Sequence, residues 1–145
     1  MKDCFFCNLI KNNKLENVII ENEHAVGTCQ SYFREGHCTV TLKDHKKSIS
    51  ELNKEEYISI FKLIIKISKA LEKIYSTEKT YLLTIGDQVE HLHFHLIPKH
   101  KNKCSMGHYC FDKLFEAEGE NKPSKLELDN LTNMIKNNIL NIIDL

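Results

Sequence analysis

Short apolar runs separated by polar clusters fill the first part of the chain. Residues 17–21 and 25–29 are rich in Val, Ile and small side chains, and polar residues bound each run, which predicts two neighbouring strands. Between residues 38 and 43, valine and leucine alternate with two threonines. Since side chains of a strand point alternately to its two faces, this period of two predicts a third, half-buried strand.

Two longer stretches have the three- and four-residue spacing of amphipathic helices. Asn53 and Glu56 form a capping pair ahead of the first, which we expect to end near Tyr75. The side chains expected on its core face are Tyr57, Ile60, Phe61, Ile64, Ser68 and Leu71. Ser124 and Glu127 repeat the capping pattern ahead of a C-terminal helix over about 124–143, whose apolar positions are Leu128, Leu131, Ile135, Ile139 and Ile142.

Two more strands are predicted between these helices, over 80–85 and 88–98. Gly86-Asp87 separates them, and a Gly-first pair suits a tight hairpin turn. Several short strands interrupted by one long helix favour an α+β fold, with an antiparallel sheet of about five strands and helices packed on one face. A parallel βαβ repeat is not supported by this order.

Composition narrows the class of protein. A chain of 145 residues suits one domain, which we place at 1–145 with a core at about 4–100 and a C-terminal extension. Twenty basic residues balance twenty acidic ones, so the charge gives no reason to expect nucleic-acid binding. Neither a membrane-spanning run nor a secretory signal is recognisable, so we expect a cytoplasmic protein with reduced cysteines and no membrane partner.

The most informative segment is 91–97, in which three histidines alternate with apolar residues. In a strand, His91, His93 and His95 share one face while the intervening side chains enter the core. Neutral imidazole is a good nucleophile, and adjacent rings can divide the roles of nucleophile, proton donor and orienting group. Two other interpretations stay open: a polar sheet face without chemistry, and a zinc or iron site formed by the three rings.

The segment matches the His-φ-His-φ-His-φ-φ signature (φ, apolar) of the histidine triad (HIT) family, which this chain resembles well beyond the signature. The opening Cys4-Phe5-Phe6-Cys7 looks like the start of the zinc-containing branch, Glu21-Asn22-Glu23-His24-Ala25 like its early hairpin, and Gly36-His37-Cys38 like the entry to its next strand. Lys43-Asp44-His45 lies where such proteins have another histidine. Together these matches span roughly residues 4–98.

The resemblance implies a nucleotide-binding α+β domain, commonly a homodimer, that hydrolyses or transfers nucleoside monophosphates. His93 would attack phosphorus and carry a transient nucleotidyl group, His95 would contact the phosphate or protonate the leaving group, and His37 would support both. Gln88 is a candidate phosphate contact. Asp87 and Glu90 would repel a phosphate, so we expect them to face solvent or a cation. Cys29 and Gln30 lie where the family usually has an acidic residue that binds ribose.

Cys4 and Cys7 have a spacing that suits zinc but also arises by chance, and two buried reduced cysteines are the alternative. The resemblance supplies His45 and His91 as the other ligands, which would complete a closed, structural Cys2His2 zinc site. His91 would then orient the triad without acting as an acid or base. Cys104, His108 and Cys110, with His100 upstream, have no recognisable ligand spacing, and we assign them no metal.

Four functions therefore remain, in decreasing order. The first is an enzyme that cleaves a nucleoside phosphoramidate, a dinucleoside polyphosphate or a similar nucleotide conjugate. The second is a non-catalytic nucleotide sensor with the same fold, and the third is a metalloenzyme that uses His91, His93 and His95 as ligands. A zinc-ribbon protein that binds nucleic acid is last, because a second cysteine pair at comparable spacing is absent.

Overall fold

A computed structural model describes residues 4–30, 35–100 and 123–142. Its elements, in chain order, are helix α1 (Phe5–Lys11), strands β1 (Val18–Glu21), β2 (Ala25–Cys29) and β3 (Cys38–Leu42), a 3₁₀ turn (Ile49–Glu51), helix α2 (Lys54–Ile74), strands β4 (Thr80–Leu83) and β5 (His93–Pro98), and helix α3 (Lys125–Leu140). The described segments thus form the predicted α+β fold.

The five strands form one antiparallel sheet in the order β1-β2-β3-β5-β4. Helix α2 packs across β2, β3 and β5, and α3 packs against α2 and the β1–β2 side of the sheet. The apolar side chains between helices and sheet form the core, among them Val40, Leu42, Phe94, Leu96, Ile60, Ile67, Leu71 and Ile135. The helices therefore cover one face of the sheet, as the order of elements predicts.

Both predicted capping boxes are present. The Asn53 side chain accepts the N–H of Glu56 at 2.9 Å, and Glu56 accepts the N–H of Asn53 at 2.8 Å. Ser124 and Glu127 pair in the same way at the start of α3. Because each box uses residues only three positions apart, it fixes the start of its helix without help from the rest of the fold.

The prediction for the buried face of α2 is wrong at two positions. Tyr57 is 46% exposed and Phe61 is 41% exposed. The buried stripe consists instead of Ile60, Leu63, Ile64, Ile67, Ala70 and Leu71. Tyr57 and Phe61 lie on one flank of this stripe, where the helix extends beyond the sheet, and they leave an apolar surface open.

The prediction of a tight hairpin at Gly86-Asp87 is also wrong. The last paired residues of β4 and β5 are Leu83 and His95, and β5 begins at His93, so residues 84–92 form a loop. The N–H of Leu92 binds the carbonyl of Lys46 at 2.6 Å. This segment is therefore held by the chain that follows β3, and not by β4. Gly86, at φ +75°, adopts its left-handed conformation within the longer loop.

The face of the sheet opposite α2 is polar, as the alternation in β3 predicts. Thr28, Thr39 and Thr41 lie on it and are buried, and the hydroxyls of Thr28 and Thr39 are 2.8 Å apart. The prediction that β3 is half-buried is wrong, since both of its faces are buried. His93 and His95 lie on this polar face, beside Thr41 and Thr39. None of the helices in the described residues is long and apolar enough to cross a membrane.

Candidate active site and metal centre

His93 lies on the polar face at the start of β5 and is 7% exposed. Its Nδ1 is 2.6 Å from the carbonyl oxygen of His91. A carbonyl can only accept a hydrogen bond, so Nδ1 carries the proton and Nε2 holds the lone pair. The backbone thus sets the tautomer in which the outer nitrogen of His93 is nucleophilic.

His95 and His37 form the second part of the site. Nδ1 of His95 is 3.0 Å from Nε2 of His37, so one ring donates to the other. Burial, followed by the nearby charges of His95 and His93, lowers the pKa of His37 to about 3. Burial and then His93 lower the pKa of His95 to about 4. Both rings are therefore neutral at pH 7, and each can present an N–H donor.

Strand pairing explains how these rings meet. Thr41 and Thr39 are the partners of His93 and His95. The N–H of Leu42 binds the carbonyl of Leu92, which makes the Thr41–His93 and Thr39–His95 pairs the non-hydrogen-bonded kind, whose side chains approach most closely. His37 precedes Thr39 by two residues and reaches the same face from the adjacent strand. The centroids of the His93 and His95 rings are 4.8 Å apart.

The four residues predicted as metal ligands form one cluster. Each of Cys4, Cys7, His45 and His91 offers a ligand atom, and these atoms lie within 4.8 Å of one another. Cys4 caps α1 and Cys7 lies within its first turn, while His45 follows β3 and His91 precedes β5. The cluster therefore connects the start of the chain to the centre of the sheet.

Hydrogen bonding shows that this cluster suits a metal ion. His91 Nε2 is 2.7 Å from the carbonyl oxygen of Leu42, so the proton is on Nε2. The unprotonated Nδ1 then faces the sulfurs of Cys4 at 3.3 Å and Cys7 at 3.5 Å. The Nδ1 of His45 is also 3.3 Å from the Cys7 sulfur. Two thiols and two imidazole nitrogens that converge in this way are the ligands of a closed, tetrahedral zinc site.

The thiols themselves favour a bound cation. Burial, a hydrogen bond with Cys4 and the charge of Cys4 raise the pKa of the Cys7 thiol. Two adjacent thiolates would repel each other, and a divalent cation between them removes that cost. Within the described residues, the metal-ligand cluster includes His91 but neither His93 nor His95, which does not favour the three triad histidines as one metal site.

A cleft of about 710 Å³ opens beside the triad. Phe5, Phe6 and Leu9 of α1 form its apolar side, and the centroid of the Phe6 ring is 5.0 Å from that of His93. Gln30 lies on its polar side and donates from Nε2 to the Thr28 hydroxyl at 2.9 Å. The cleft thus combines an aromatic wall with a hydrogen-bonding edge, a combination typical of small-molecule sites.

The structure locates the remaining predicted residues without testing their roles. Gln88 and Asp87 are exposed in the loop before the triad. Glu90 is exposed as well, and its carboxylate is 2.5 Å from the Lys47 ammonium, so Asp87 and Glu90 face solvent or a cation as expected. Cys104, His108 and Cys110 lie outside the described residues.

Sequence reasoning missed two contributors to the site. Phe6 was assigned to an opening motif, and its contact with the triad depends on how α1 folds back on the sheet. The carbonyl of Leu42 sets the tautomer of His91, yet a backbone acceptor leaves no signal in the sequence. The Phe5-Phe6 pair beside Cys4 was the one available sign of an aromatic wall.

Comparison with known proteins yields the same fold and motif. A family model described as the HIT domain matches residues 10–102. An uncharacterised HIT-like protein of Methanocaldococcus jannaschii is 28% identical over 103 residues, covering 68% of this chain and 80% of that protein. The adenosine 5′-monophosphoramidase of Schizosaccharomyces pombe is 26% identical over 106 residues, covering 72% and 80%.

Solved structures agree on the fold. A zinc-bound histidine triad family protein of Mycobacterium smegmatis superimposes with a TM-score of 0.69 at 16% identity, covering 96% of this chain and 94% of that one. A diadenosine triphosphate hydrolase of Plasmodium falciparum gives 0.65 at 22% identity, covering 86% and 76%. At such identities the likeness concerns the arrangement of strands and helices.

Proposed function

The chain belongs to the HIT domain family, and from that premise we propose that it is a nucleotide phosphoramidase or dinucleoside polyphosphate hydrolase acting through a nucleotidyl-histidine intermediate. The family supports the coarser statement that the protein is a nucleotide hydrolase or transferase. The observation that carries the finer proposal is the 2.6 Å bond from His93 Nδ1 to the His91 carbonyl. It leaves the Nε2 lone pair of a neutral imidazole on the open side of the ring.

In the first step His93 Nε2 attacks the phosphorus of a nucleoside monophosphate conjugate. A phosphorus–nitrogen bond forms and the bond to the leaving group breaks, and the leaving group takes a proton from a donor beside it. Water then attacks the same phosphorus, releases the nucleoside monophosphate and restores the His93 lone pair. Dividing one displacement into two steps is useful because imidazole is both a good nucleophile and a good leaving group.

His95 is the donor that we assign to the leaving group or the phosphate. Its ring centroid is 4.8 Å from that of His93, and its Nδ1 is bound to His37. When His37 donates to Nδ1, the proton of His95 is on Nε2, which faces away from His37. His37 therefore sets the tautomer of His95, and a fixed N–H donor stabilises charge that develops on oxygen. Gln88, in the adjoining loop, is proposed as a further phosphate contact.

The cleft beside the triad is the proposed nucleoside site. Phe5 and Phe6 offer aromatic faces on which a base can stack, and Gln30 offers an amide to the sugar. An uncharged amide at this edge can accept one hydroxyl hydrogen and donate one N–H, so neutral sugars suit it better than a second phosphate does. The S. pombe phosphoramidase, by its name, acts on an adenosine 5′-monophosphate derivative, which supports a purine nucleotide here.

Zinc is the proposed metal, held by Cys4, Cys7, His45 and His91. All four positions of a tetrahedral ion would be occupied by protein, so the metal would stabilise the fold and take no part in the reaction. By fixing His91, it would also hold the carbonyl to which His93 binds. The zinc-bound M. smegmatis relative supports this choice of metal.

A homodimer is the proposed assembly, and we place its interface at β4 and the flank of α2. Strand β4 is an edge strand whose outer side makes no pair within the described residues. The exposed apolar side chains of the adjoining helix flank and strand are Tyr57, Phe61, Ile65 and Leu82. An open edge strand beside an apolar surface invites pairing with a second copy. A cytoplasmic location also stays a prediction.

Trapping the intermediate tests the proposed function. The purified protein is incubated with adenosine phosphoramidate, diadenosine polyphosphates and nucleotide sugars, and the products and the intact protein mass are measured. We expect turnover of at least one conjugate and, after rapid acid-free quenching, an added nucleotidyl mass that maps to His93. A nucleotide that binds without any turnover or adduct would favour the sensor alternative instead.

A further inference from the structure

Lys46 lies between the metal cluster and the nucleophile, and the proposed chemistry gives it no role. It directly follows His45, and its side chain forms an ion pair with Glu56 in the first turn of α2. Its ammonium also donates to the carbonyl of Glu51 at 3.0 Å. Lysine usually keeps its ammonium in water, so a lysine fixed at two acceptors indicates a structural constraint.

The acceptor is a buried carboxylate. Glu56 is 2% exposed, and it also receives the N–H of Asn53. A carboxylate removed from water needs a cation and hydrogen-bond donors, and loss of one partner leaves an uncompensated charge. The side chain of Lys46 is therefore held firmly against the start of α2.

The backbone of Lys46 continues this connection to the triad. Its carbonyl accepts the N–H of Leu92 at 2.6 Å. That N–H belongs to the peptide group whose carbonyl, from His91, accepts the Nδ1 proton of His93 at 2.6 Å. One peptide group therefore has Lys46 bound at one end and His93 at the other. Hydrogen bonds in such a chain polarise and strengthen one another.

We infer that Lys46 and Glu56 are positioning residues, whose ion pair holds the His91–Leu92 peptide in the plane that orients and polarises the His93 imidazole. The inference rests on the proposed role of His93 as nucleophile. If the pair is lost, the Lys46 carbonyl is free to shift, the peptide can rotate, and the Nε2 lone pair leaves its line of attack. Misplacement by about 1 Å can cost roughly 100-fold in rate.

Four variants of the metal-loaded protein separate this role from simple stabilisation. Lys46→Met keeps the length of the stem without its charge, and Glu56→Gln keeps the acceptor of the capping box. Lys46→Arg restores a cation to the pair. Lys47→Met is the matched control, because it removes the next lysine along, whose partner Glu90 is exposed.

We expect Lys46→Met and Glu56→Gln to lower kcat by about 10- to 100-fold while KM changes by less than about twofold, since the lost interaction orients the nucleophile and does not bind substrate. Lys46→Arg should recover most of kcat, and Lys47→Met should match the parent. Zinc content and the far-ultraviolet circular dichroism of each variant are recorded, so that loss of metal or fold is not mistaken for misorientation.

A second readout needs no turnover. With 15N-labelled histidine, the Nδ1–H resonance of His93 reports the hydrogen bond to His91, and we expect it to shift or broaden in Lys46→Met and Glu56→Gln but not in Lys47→Met. If the parent protein turns over no conjugate, the proposed function fails while this comparison still decides the inference. An unchanged resonance in both variants overturns it. Should Lys46→Met not fold, Glu56→Gln carries both measurements, and an unchanged resonance there is equally decisive.

Discussion

The Nε2 nitrogen of His37 lies 3.0 Å from Nδ1 of His95, so two buried imidazoles share a single hydrogen bond. This bond needs one neutral donor and one neutral acceptor, and protonation of both rings would break it. The fold thus commits the pair to the neutral state, in keeping with the lowered pKa of each ring, about 3 for His37 and about 4 for His95. The same pair should therefore govern how stability changes with pH.

We expect the free energy of unfolding to fall as the pH drops from about 6.5 towards 4. In the unfolded chain both histidines take up protons near pH 6.5, whereas in the folded chain they stay neutral until about pH 4 or 3. The unfolded state therefore binds more protons in this window, and each ring contributes a slope of about 1.4 kcal/mol per pH unit. Urea unfolding at pH 7, 6 and 5 measures it.

The matched variant for this measurement is His37→Asn, which retains an amide able to bind His95 but does not titrate. Its stability should depend less steeply on pH than that of the parent, by about the contribution of one imidazole. Zinc release at low pH would affect both proteins alike and cancels in the difference. Equal slopes for the two proteins would contradict the lowered pKa of His37.

Replacing His93 with asparagine should abolish turnover without unfolding the protein. Asparagine can still donate to the His91 carbonyl, but it has no lone pair able to bond phosphorus, so we expect kcat to fall by roughly three orders of magnitude or more. Steady-state hydrolysis of the preferred conjugate measures the loss. His24→Asn is the control, since His24 lies at the β1–β2 turn beside exposed Glu23. Parent-like turnover by the His93 variant would refute the nucleophile assignment.

One zinc ion per chain should depend on the cysteines and not on the nucleophile. Cys7→Ala removes one of four ligands, so we expect its zinc content, measured by atomic emission, to drop to near zero, whereas His93→Asn should keep a full equivalent. A metal that stabilises the folded state contributes about 2.7 kcal/mol when its free concentration is a hundred times Kd. Chelation should therefore lower the melting temperature of the parent protein.

The reverse pattern distinguishes the metalloenzyme alternative. If zinc were lost on replacing His93 and retained on replacing Cys7, the triad itself would be the metal site. Turnover that survives removal of zinc at a temperature where the fold persists would agree with a purely structural ion. Immediate loss of turnover, with the fold and the His93 resonance intact, would argue that the ion takes part in the reaction.

The features that the sequence predicted well are those coded locally. The capping boxes at Asn53 and Ser124 depend on residues three positions apart, and the alternation in β3 follows from strand geometry, so both could be predicted without knowledge of the fold. The metal cluster was predicted by family resemblance. Its ligands come from three separate segments, which no local pattern joins.

The errors arose where distant segments decide the structure. Gly86-Asp87 has the composition of a hairpin turn, yet the chain forms a longer loop because Leu92 binds Lys46 and not a residue of β4. Phe61 fits the apolar period of α2, yet the position of the sheet beneath the helix leaves it exposed. The Lys46–Glu56 pair was not foreseen either, since a charged pair on the sequence gives no sign of burial.

The exposure of Phe61 leads to a prediction about assembly. Phe61 packs on Phe94 with ring centroids 6.0 Å apart, so its inner edge is anchored in the core while 41% of the residue stays open. Placing a charge there, as in Phe61→Glu, would put a carboxylate into the proposed dimer interface, where desolvation is costly. Leu82→Arg does the same from the β4 edge.

We expect the parent protein to elute as a dimer and both variants as monomers, as measured by size-exclusion chromatography with light scattering at equal concentration. Leu126→Glu is the control, because Leu126 on α3 is 69% exposed, away from β4 and the flank of α2. Since a charge at an exposed position costs little stability, loss of the dimer in Leu82→Arg with an unchanged melting transition would locate the interface. A parent protein that is monomeric, or variants that remain dimeric, would mean that the apolar flank of α2 and the β4 edge do not join two copies.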